Sequence, residues 1–368
     1  MEIRIIRIKE LPDFLNSEEY RNMPEIPISR HRGLSHAYNP RAKPEEAALV
    51  LVYIDTQLMG YLGFVPDTIY LEEAGINLGW MSCIWVSPDA RGKGIAKAML
   101  KRGFEEWENR VIVTEFTEIA KNIYERYGDF MDLTISNGIR AYMRANLAYL
   151  LPAKRPSLHK LKPLLRLIDG VLNLFHDFRL RIYQINYRKH QPTYEYLSEI
   201  DGPTEAFIRS FQKEELFRRG ASELNWMLHH PWVLSAPAKD EPAQRYYFTS
   251  VANRFDFLAM RVYGPENRLA AVLIFAIRDT HLKLPYAYFS EADSELVLKV
   301  ILHHMLQMRL DMLTVYHPVL TQAIRQYSTP FYLTRPFSRH YLISTRFEAG
   351  LRTHARTLQD GDGDCAFT

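Results

Sequence analysis

The chain has 368 residues, 47% of them apolar and 12% aromatic, which suits a folded protein of two domains and excludes a disordered one. A formal net charge of +3 excludes the strongly basic class of nucleic-acid binders. Two cysteines, Cys83 and Cys365, are too few and too far apart for a disulfide framework and fit a reducing, cytoplasmic setting. The opening residues MEIRIIRIKELPDF are charged throughout and carry no apolar leader segment, and no run of about 18 apolar residues predicts a membrane span.

In chain order, EIRIIRI (2–8) alternates and predicts a strand, with a short helix over 11–21. Residues 22–46 hold four prolines and the basic cluster Arg30, His31, Arg32, and read as irregular. ALVLVYID (48–55), QLMGYLGFVP (57–66) and INLGWMSCIWVSP (76–88) are apolar runs punctuated by Gly, Pro or Asp, as in an antiparallel meander. From Gly94 the period changes. Ile95, Met99, Phe104 and Trp107 recur at helical spacing among charged residues, which predicts an amphipathic helix of about four turns. VIVTEF (111–116) reads as a buried strand, TEIAKNIYERYG (117–128) as a helix closed by Gly128, and 131–143 as a last strand pair.

Residues 151–190 differ in character. Lys and Arg greatly outnumber the two acids, Asp169 and Asp177, and Leu164, Leu165, Ile168, Val171, Leu172, Leu174 and Phe175 form an apolar stripe. The expectation is a linker helix packed across two domains; the same pattern suits a helix lying on a membrane surface. The second half then repeats the order of the first: strands 255–264, 268–278 and 281–289, helix 294–310, strand 312–317, helix 318–327, strands 331–334 and 340–346. This reads as a structural duplication without visible sequence identity. The tail QDGDGDCAFT lacks the closing glutamate and spacing of a calcium loop and is expected to be solvated or locally docked. The expected domains are therefore 1–150, a linker at 151–200, 201–350, and the tail from 351.

The stretch SPDARGKGIAKAM (87–99) carries the chemistry. A strand ends at Pro88, a short basic turn follows, and a helix begins at once. The first N–H groups of a helix have no internal partner, and the macrodipole adds partial positive charge. Gly92 and Gly94 let backbone nitrogens approach a ligand closely, Ala96 is small, and Arg91, Lys93 and Lys97 add full charges. Together with Ile95, these residues predict a pyrophosphate cradle. It is neither the phosphate loop of nucleotide hydrolases nor the dinucleotide fingerprint, because the residue spacing fits neither.

CIWVSPDARGKGIAKAML (83–100) resembles the acyl-CoA motif V-x-P-x-x-[RQ]-x-x-G-x-[GA] of the GCN5-related N-acetyltransferase (GNAT) family, and EIAKNIYERYGDF (118–130) resembles its A-x-x-x-Y-x-x-x-G-F segment. With the strand order, the resemblance covers residues 1 to about 145. It implies an α+β fold of two GNAT-like domains, each with a mixed, mostly antiparallel sheet flanked by helices and splayed between its fourth and fifth strands. It implies acetyl-CoA as co-substrate, with Ile84 and Val86 facing the acyl and pantetheine groups, the turn from Arg91 to Lys97 holding the pyrophosphate, and Tyr124 near the thioester sulfur. The implied reaction is direct attack of a primary amine, on a small molecule or peptide, without a covalent enzyme intermediate and without a metal.

Glu115, Glu118, Glu72 and Glu73 are candidate bases, with Glu115 at the end of the fifth strand preferred. Cys83 reads as a packed thiol rather than a nucleophile. Thr117 stands where many members that acetylate protein termini have Asn, and Asp129 interrupts the Gly-Phe pair, so the acceptor side departs from the pattern. In the second half, Ser290, Glu291, Asp293 and Glu295 crowd the helix start and would repel a pyrophosphate, so that domain is expected to bind no coenzyme A and to shape the acceptor site or mediate a homodimer. The adjacent pairs His229-His230 and His303-His304 point in different directions on a helix and suit no shared metal. Two rival readings are a double-GNAT aminoacyl or peptidyl transferase and a non-catalytic acyl-CoA sensor or scaffold. The basic segment 26–43 hints at an anionic acceptor.

Overall fold

The computed structural model describes residues 1–127, 129–187, 191–235, 245–351 and 357–367. Gly128, expected to close a helix, lies outside the described residues. The chain forms two compact units: Met1–Ser136, Ser198–Phe257 and Arg339–Thr368 make the first, and Asn137–Leu197 with Leu258–Ser338 make the second.

The first unit holds strands β1 (Glu2–Arg7), β2 (Ala47–Ile54), β3 (Gln57–Leu71), β4 (Ala74–Val86) and β5 (Val111–Thr114), hydrogen-bonded in that order. All neighbours are antiparallel except β4 and β5, which run parallel. β2 is a run of β-branched and aliphatic residues because both its faces are covered. Its alternate side chains divide between two cores. Val50 and Val52 pack with Ile95, Met99 and Phe104 of the helix Ile95–Glu106. Leu49 and Leu51 pack with Leu11, Phe14 and Ile28 on the opposite face. The helix expected over 11–21 breaks into two at Ser17, whose hydroxyl caps the second piece by accepting the Tyr20 N–H. A helix, Arg30–Ala37, occupies the stretch expected to be irregular. The residues it buries are Arg32, Gly33, Ser35 and His36, so it shows no apolar stripe to read.

β6 (Phe130–Tyr142) is one long strand rather than the expected pair, and it leaves the first unit. Its residues Ile139–Tyr142 pair antiparallel with β13 (Met312–Val315) in the second unit, whose order is β6, β13, β12 (His281–Phe289), β11 (Leu269–Arg278), β10 (Phe255–Tyr263) and β7 (Thr193–Leu197). β14 (Leu333–Ser344) takes the converse route, with Tyr341–Ile343 pairing antiparallel to β5 in the first unit. It is one strand where two were expected. Each half of the sequence therefore supplies the last strand of the other half's sheet, and the compact units differ from the sequential division expected near residue 150. The short strands β8 (Leu234–Ser235) and β9 (Val251–Ala252) form a separate parallel pair.

In the second unit, Leu273, Phe275 and Ile277 pack on Val297, Ile301 and Met305 of the helix Ser294–Gln307, joined by Leu180. Leu180 belongs to the helix Lys162–Tyr187. That helix was expected to be packed along its apolar stripe. Leu165 and Leu180 are buried, but Leu164, Ile168, Val171, Leu172, Leu174 and Phe175 are exposed. The tail was expected to be solvated or docked, and it is docked. Asp362, Cys365, Ala366 and Phe367 are all buried, and Phe367 stacks on Trp232 at 4.2 Å.

Candidate active site

β4 and β5 share only three parallel pairs, Gly79–Met81 against Val111–Val113. β5 ends at Thr114, while β4 runs on to Val86 beside β3 alone. The register of β3 and β4 shifts opposite Tyr61–Gly63, where Cys83 takes the left-handed conformation (φ 60°). Such a bulge adds a residue and reverses which side of the strand each later backbone group faces. Two bonds show the reversal: the Gly79 N–H donates toward β5, to the Arg110 carbonyl, whereas the Ser87 N–H donates toward β3, to the Met59 carbonyl. Counting back by twos from Ser87 puts Trp85 on the β3 side and Ile84 and Val86 on the side that β5 has vacated.

The turn follows directly. Pro88–Ala90 forms one 3-10 turn and Gly94 caps the helix Ile95–Glu106. Gly92 and Gly94 sit at φ 81° and 78°, and a Cβ on either would meet nothing within 4 Å. Arg91, Lys93 and Lys97 are exposed. The Lys93 N–H donates to the Ala90 carbonyl at 3.3 Å, and Arg91 N–H to Pro88 at 3.4 Å, so not every amide of the expected cradle is available. Among the described residues, the amides of Gly92, Gly94, Ile95 and Ala96 have no hydrogen-bond partner.

Tyr124 lies on the helix Glu118–Tyr127 and is buried edge-on between Phe116 and Phe130. Its hydroxyl has no hydrogen-bond partner among the described residues. Burial pushes its pKa up, and the nearby Cys83 and Asp364 push in the same direction. Glu115, at φ 52°, is exposed and ion-paired with the buried Arg339 at 2.8 Å.

Sequence reasoning missed the polar cluster under the bulge. Buried Arg32 donates to Cys83 Sγ at 2.8 Å, to Ser82 Oγ at 2.7 Å and to Tyr246 Oη at 3.2 Å, and lies 4.3 Å over the Trp232 ring. Tyr246 also donates to Cys83 Sγ at 3.3 Å. Cys83 is thus half-buried with polar partners as well as apolar neighbours. The Ser82 hydroxyl donates to Asp364, which the tail delivers from 282 residues downstream. Gly363 makes that delivery possible: it adopts φ 75°, and a Cβ there would strike Trp80 at 2.7 Å. Burial raises the Asp364 carboxyl above its ordinary range, while Arg32 and the Ser82 bond pull it back. The only sequence signal was the Gly-Asp composition of the tail, which does not say where the tail goes.

The second unit repeats the splay. β12 and β13 share the pairs His281–Lys283 against Met312–Thr314, and β12 runs on to Phe289. Its helix start is closed off differently: Asp293 accepts from Ser290 and from Arg268, the latter at 2.5 Å. His303 and His304 bond to the hydroxyls of Tyr194 and Tyr196, so each of the pair faces its own partner.

A sequence model described as an acetyltransferase (GNAT) domain matches residues 45–128, the segment from β2 to the Tyr124 helix. No curated protein matches the sequence. Among solved structures, a conserved protein of unknown function from Enterococcus faecalis V583, named "Probable N-Acyltransferase", aligns at a TM-score of 0.51 and 11% identity over 93% of this chain and 72% of that one. Eis1 from Mycobacterium abscessus aligns at 0.46 and 13% identity over 98% and 77% of the two chains, and a GCN5-related N-acetyltransferase from Anabaena variabilis at 0.45 and 9% over 80% and 62%. The first of these shows the fold. The splayed strands and the glycine turn both lie inside the matched segment, so residues 45–128 are the part of the chain that carries the likeness to an acetyltransferase (GNAT) domain.

Proposed function

We propose that the protein transfers an acetyl group from acetyl-CoA to a primary amine by direct attack of the amine on the thioester. The observation that carries this reading is an open helix N-terminus, with unpartnered amides at Gly92, Gly94, Ile95 and Ala96, standing at the mouth of the gap between β4 and β5. The fit is one of chemistry and space: bare donors, three exposed cations and glycines with nothing above them suit a pyrophosphate. Arg91, Lys93 and Lys97 would add charge around it. The pantetheine arm would run along β4, where the backbone of Ile84 and Val86 faces the gap, and the Val86 N–H would meet the developing oxyanion.

Tyr124 would donate its proton to the departing thiolate. A phenol with a raised pKa stays protonated and is available as a donor. For the amine's proton, Asp364 suits better than the Glu115 expected from sequence. Glu115 is engaged by Arg339 in an ion pair, whereas burial raises the carboxyl of Asp364 and makes it a stronger base. Cys83 already receives two hydrogen bonds, and no covalent step through it is needed. Support for an anionic acceptor weakens, because Arg32 and Arg41 of the basic segment spend their charges on Ser82, Asp67 and Glu223.

The test is thiol release from acetyl-CoA across a panel of primary amines. Turnover on at least one amine, reduced about 100-fold in kcat by Tyr124→Phe, is the expected result. Coenzyme A binding with no thiol release on any amine would favour the scaffold reading.

A further inference from the structure

The helix Lys162–Tyr187 has a face that the fold leaves uncovered. At 100° per residue, Leu167, Val171, Leu174, Phe175, Phe178 and Ile185 fall on a single stripe about 100° wide. These residues are exposed by 67, 51, 72, 73, 69 and 66%. The helix spans 26 residues, about 39 Å at 1.5 Å per residue. Monomeric proteins rarely expose an apolar surface that long and continuous. Its opposite face makes the intramolecular contacts, through Leu165, Leu180 and Asp169.

Charge decides what can cover it. Arg166 and Arg181 lie along one edge of the stripe, and Arg155, Lys160 and Lys162 precede it. The segment's two acids are turned to internal work. Asp169 accepts the amides of Leu147 and Ala148, and Asp177 is ion-paired with Arg144 at 2.7 Å. The outward face is therefore apolar with a positive border. A second copy of the same helix would bring like charges together. An anionic bilayer surface supplies both complements, an acyl region for the Leu, Ile and Phe side chains and phosphate headgroups for the Arg and Lys border. No described helix is long and apolar enough to cross a membrane, and the stripe covers only one side of this one. We infer that the helix Lys162–Tyr187 docks the protein, lying flat, on the surface of an anionic phospholipid membrane.

The test is co-sedimentation of the full-length protein with vesicles of phosphatidylcholine alone and of phosphatidylcholine with one quarter phosphatidylglycerol. Sedimentation with the anionic vesicles, release by raised salt, and background with neutral vesicles are expected. The double variant Phe175→Ser/Phe178→Ser is expected to reduce vesicle binding about 10-fold or more, with a melting temperature no lower than wild type, since both side chains already face solvent. The wild-type comparison and its salt dependence stand even where that variant fails to fold. Absence of binding to anionic vesicles overturns the inference, and so does equal binding to neutral ones. A dimer in light scattering that the double variant dissolves, with no vesicle binding, assigns the stripe to a second copy instead.

Discussion

At Cys83 the backbone turns left-handed, and the consequences for the site follow from that one residue. The bulge aims the Ile84 and Val86 backbone groups into the gap, and it lifts the thiol toward Arg32 and Tyr246. The phenol of Tyr124, raised first by burial, then feels both the Cys83 thiol and the raised carboxyl of Asp364. If Asp364 is the base, Asp364→Asn lowers kcat by about 100-fold while coenzyme A affinity stays within twofold. Glu115→Gln, by contrast, changes kcat by less than about threefold, because its partner Arg339 also donates to the Asp360 carbonyl and Tyr341 and keeps its place. Steady-state kinetics on the amine that turns over separates the two. The placement of Tyr124 on a helix was legible from the local pattern. That of Asp364 beside Ser82 was not, because it depends on where a distant tail docks.

At the scale of elements, the glycine turn, the helix after it and the order of strands were legible because each follows from short-range pattern: φ-permissive residues, a 3.6-residue period, alternating apolar runs. The helix Arg30–Ala37 was not, since it buries Arg32, Ser35 and His36 in hydrogen bonds rather than an apolar stripe in a core. The exchange of β6 and β14 was equally hidden, because a strand's partner is a property of the whole sheet, not of its own sequence. The tail docks by a stack of Phe367 on Trp232, with Trp226 and Phe257 at its edges. Phe367 is 1% exposed, so Phe367→Ala is expected to cost about 3–5 kcal/mol. The same variant should reduce turnover, since Asp364 rides on that segment. Urea unfolding measures the first effect and the amine assay the second.

Across the whole molecule, stability should depend on pH through buried acids behind the tail. Asp67 is held by Arg41 and Arg219 at 2.7 and 2.6 Å. Burial opposes its charge, but the two guanidiniums keep its pKa below the ordinary value. Glu215 and Asp362 have weaker support, with Arg219 3.5 Å from Asp362 and acting on Glu215 only through its charge. Burial pushes Glu215 up to about 8, and burial with the charge of Asp67 pushes Asp362 up to about 7 despite Arg219. A carboxyl whose pKa rises on folding binds its proton more tightly in the native state. Its contribution is full below the unfolded pKa near 4 and is gone above the folded one. Unfolding free energy should therefore fall by a few kcal/mol, in order of magnitude, between about pH 5 and pH 8.5. Glu215→Gln should flatten that slope, and urea midpoints at the two pH values measure it. A slope of opposite sign would mean that both carboxyls are ionised in the folded protein.

The proposed coenzyme A site depends most on the bare amides at the start of the helix Ile95–Glu106. Calorimetric titration with coenzyme A, set against pantetheine, which has the same thiol arm and no pyrophosphate, tests them directly. Coenzyme A should bind, pantetheine should bind at least about 100-fold more weakly, and Gly94→Val, strained by about 1 kcal/mol at φ 78° and placing a side chain over the turn, should weaken coenzyme A by more than 10-fold. Equal affinity for the two compounds, or undiminished coenzyme A binding by Gly94→Val, would contradict the account.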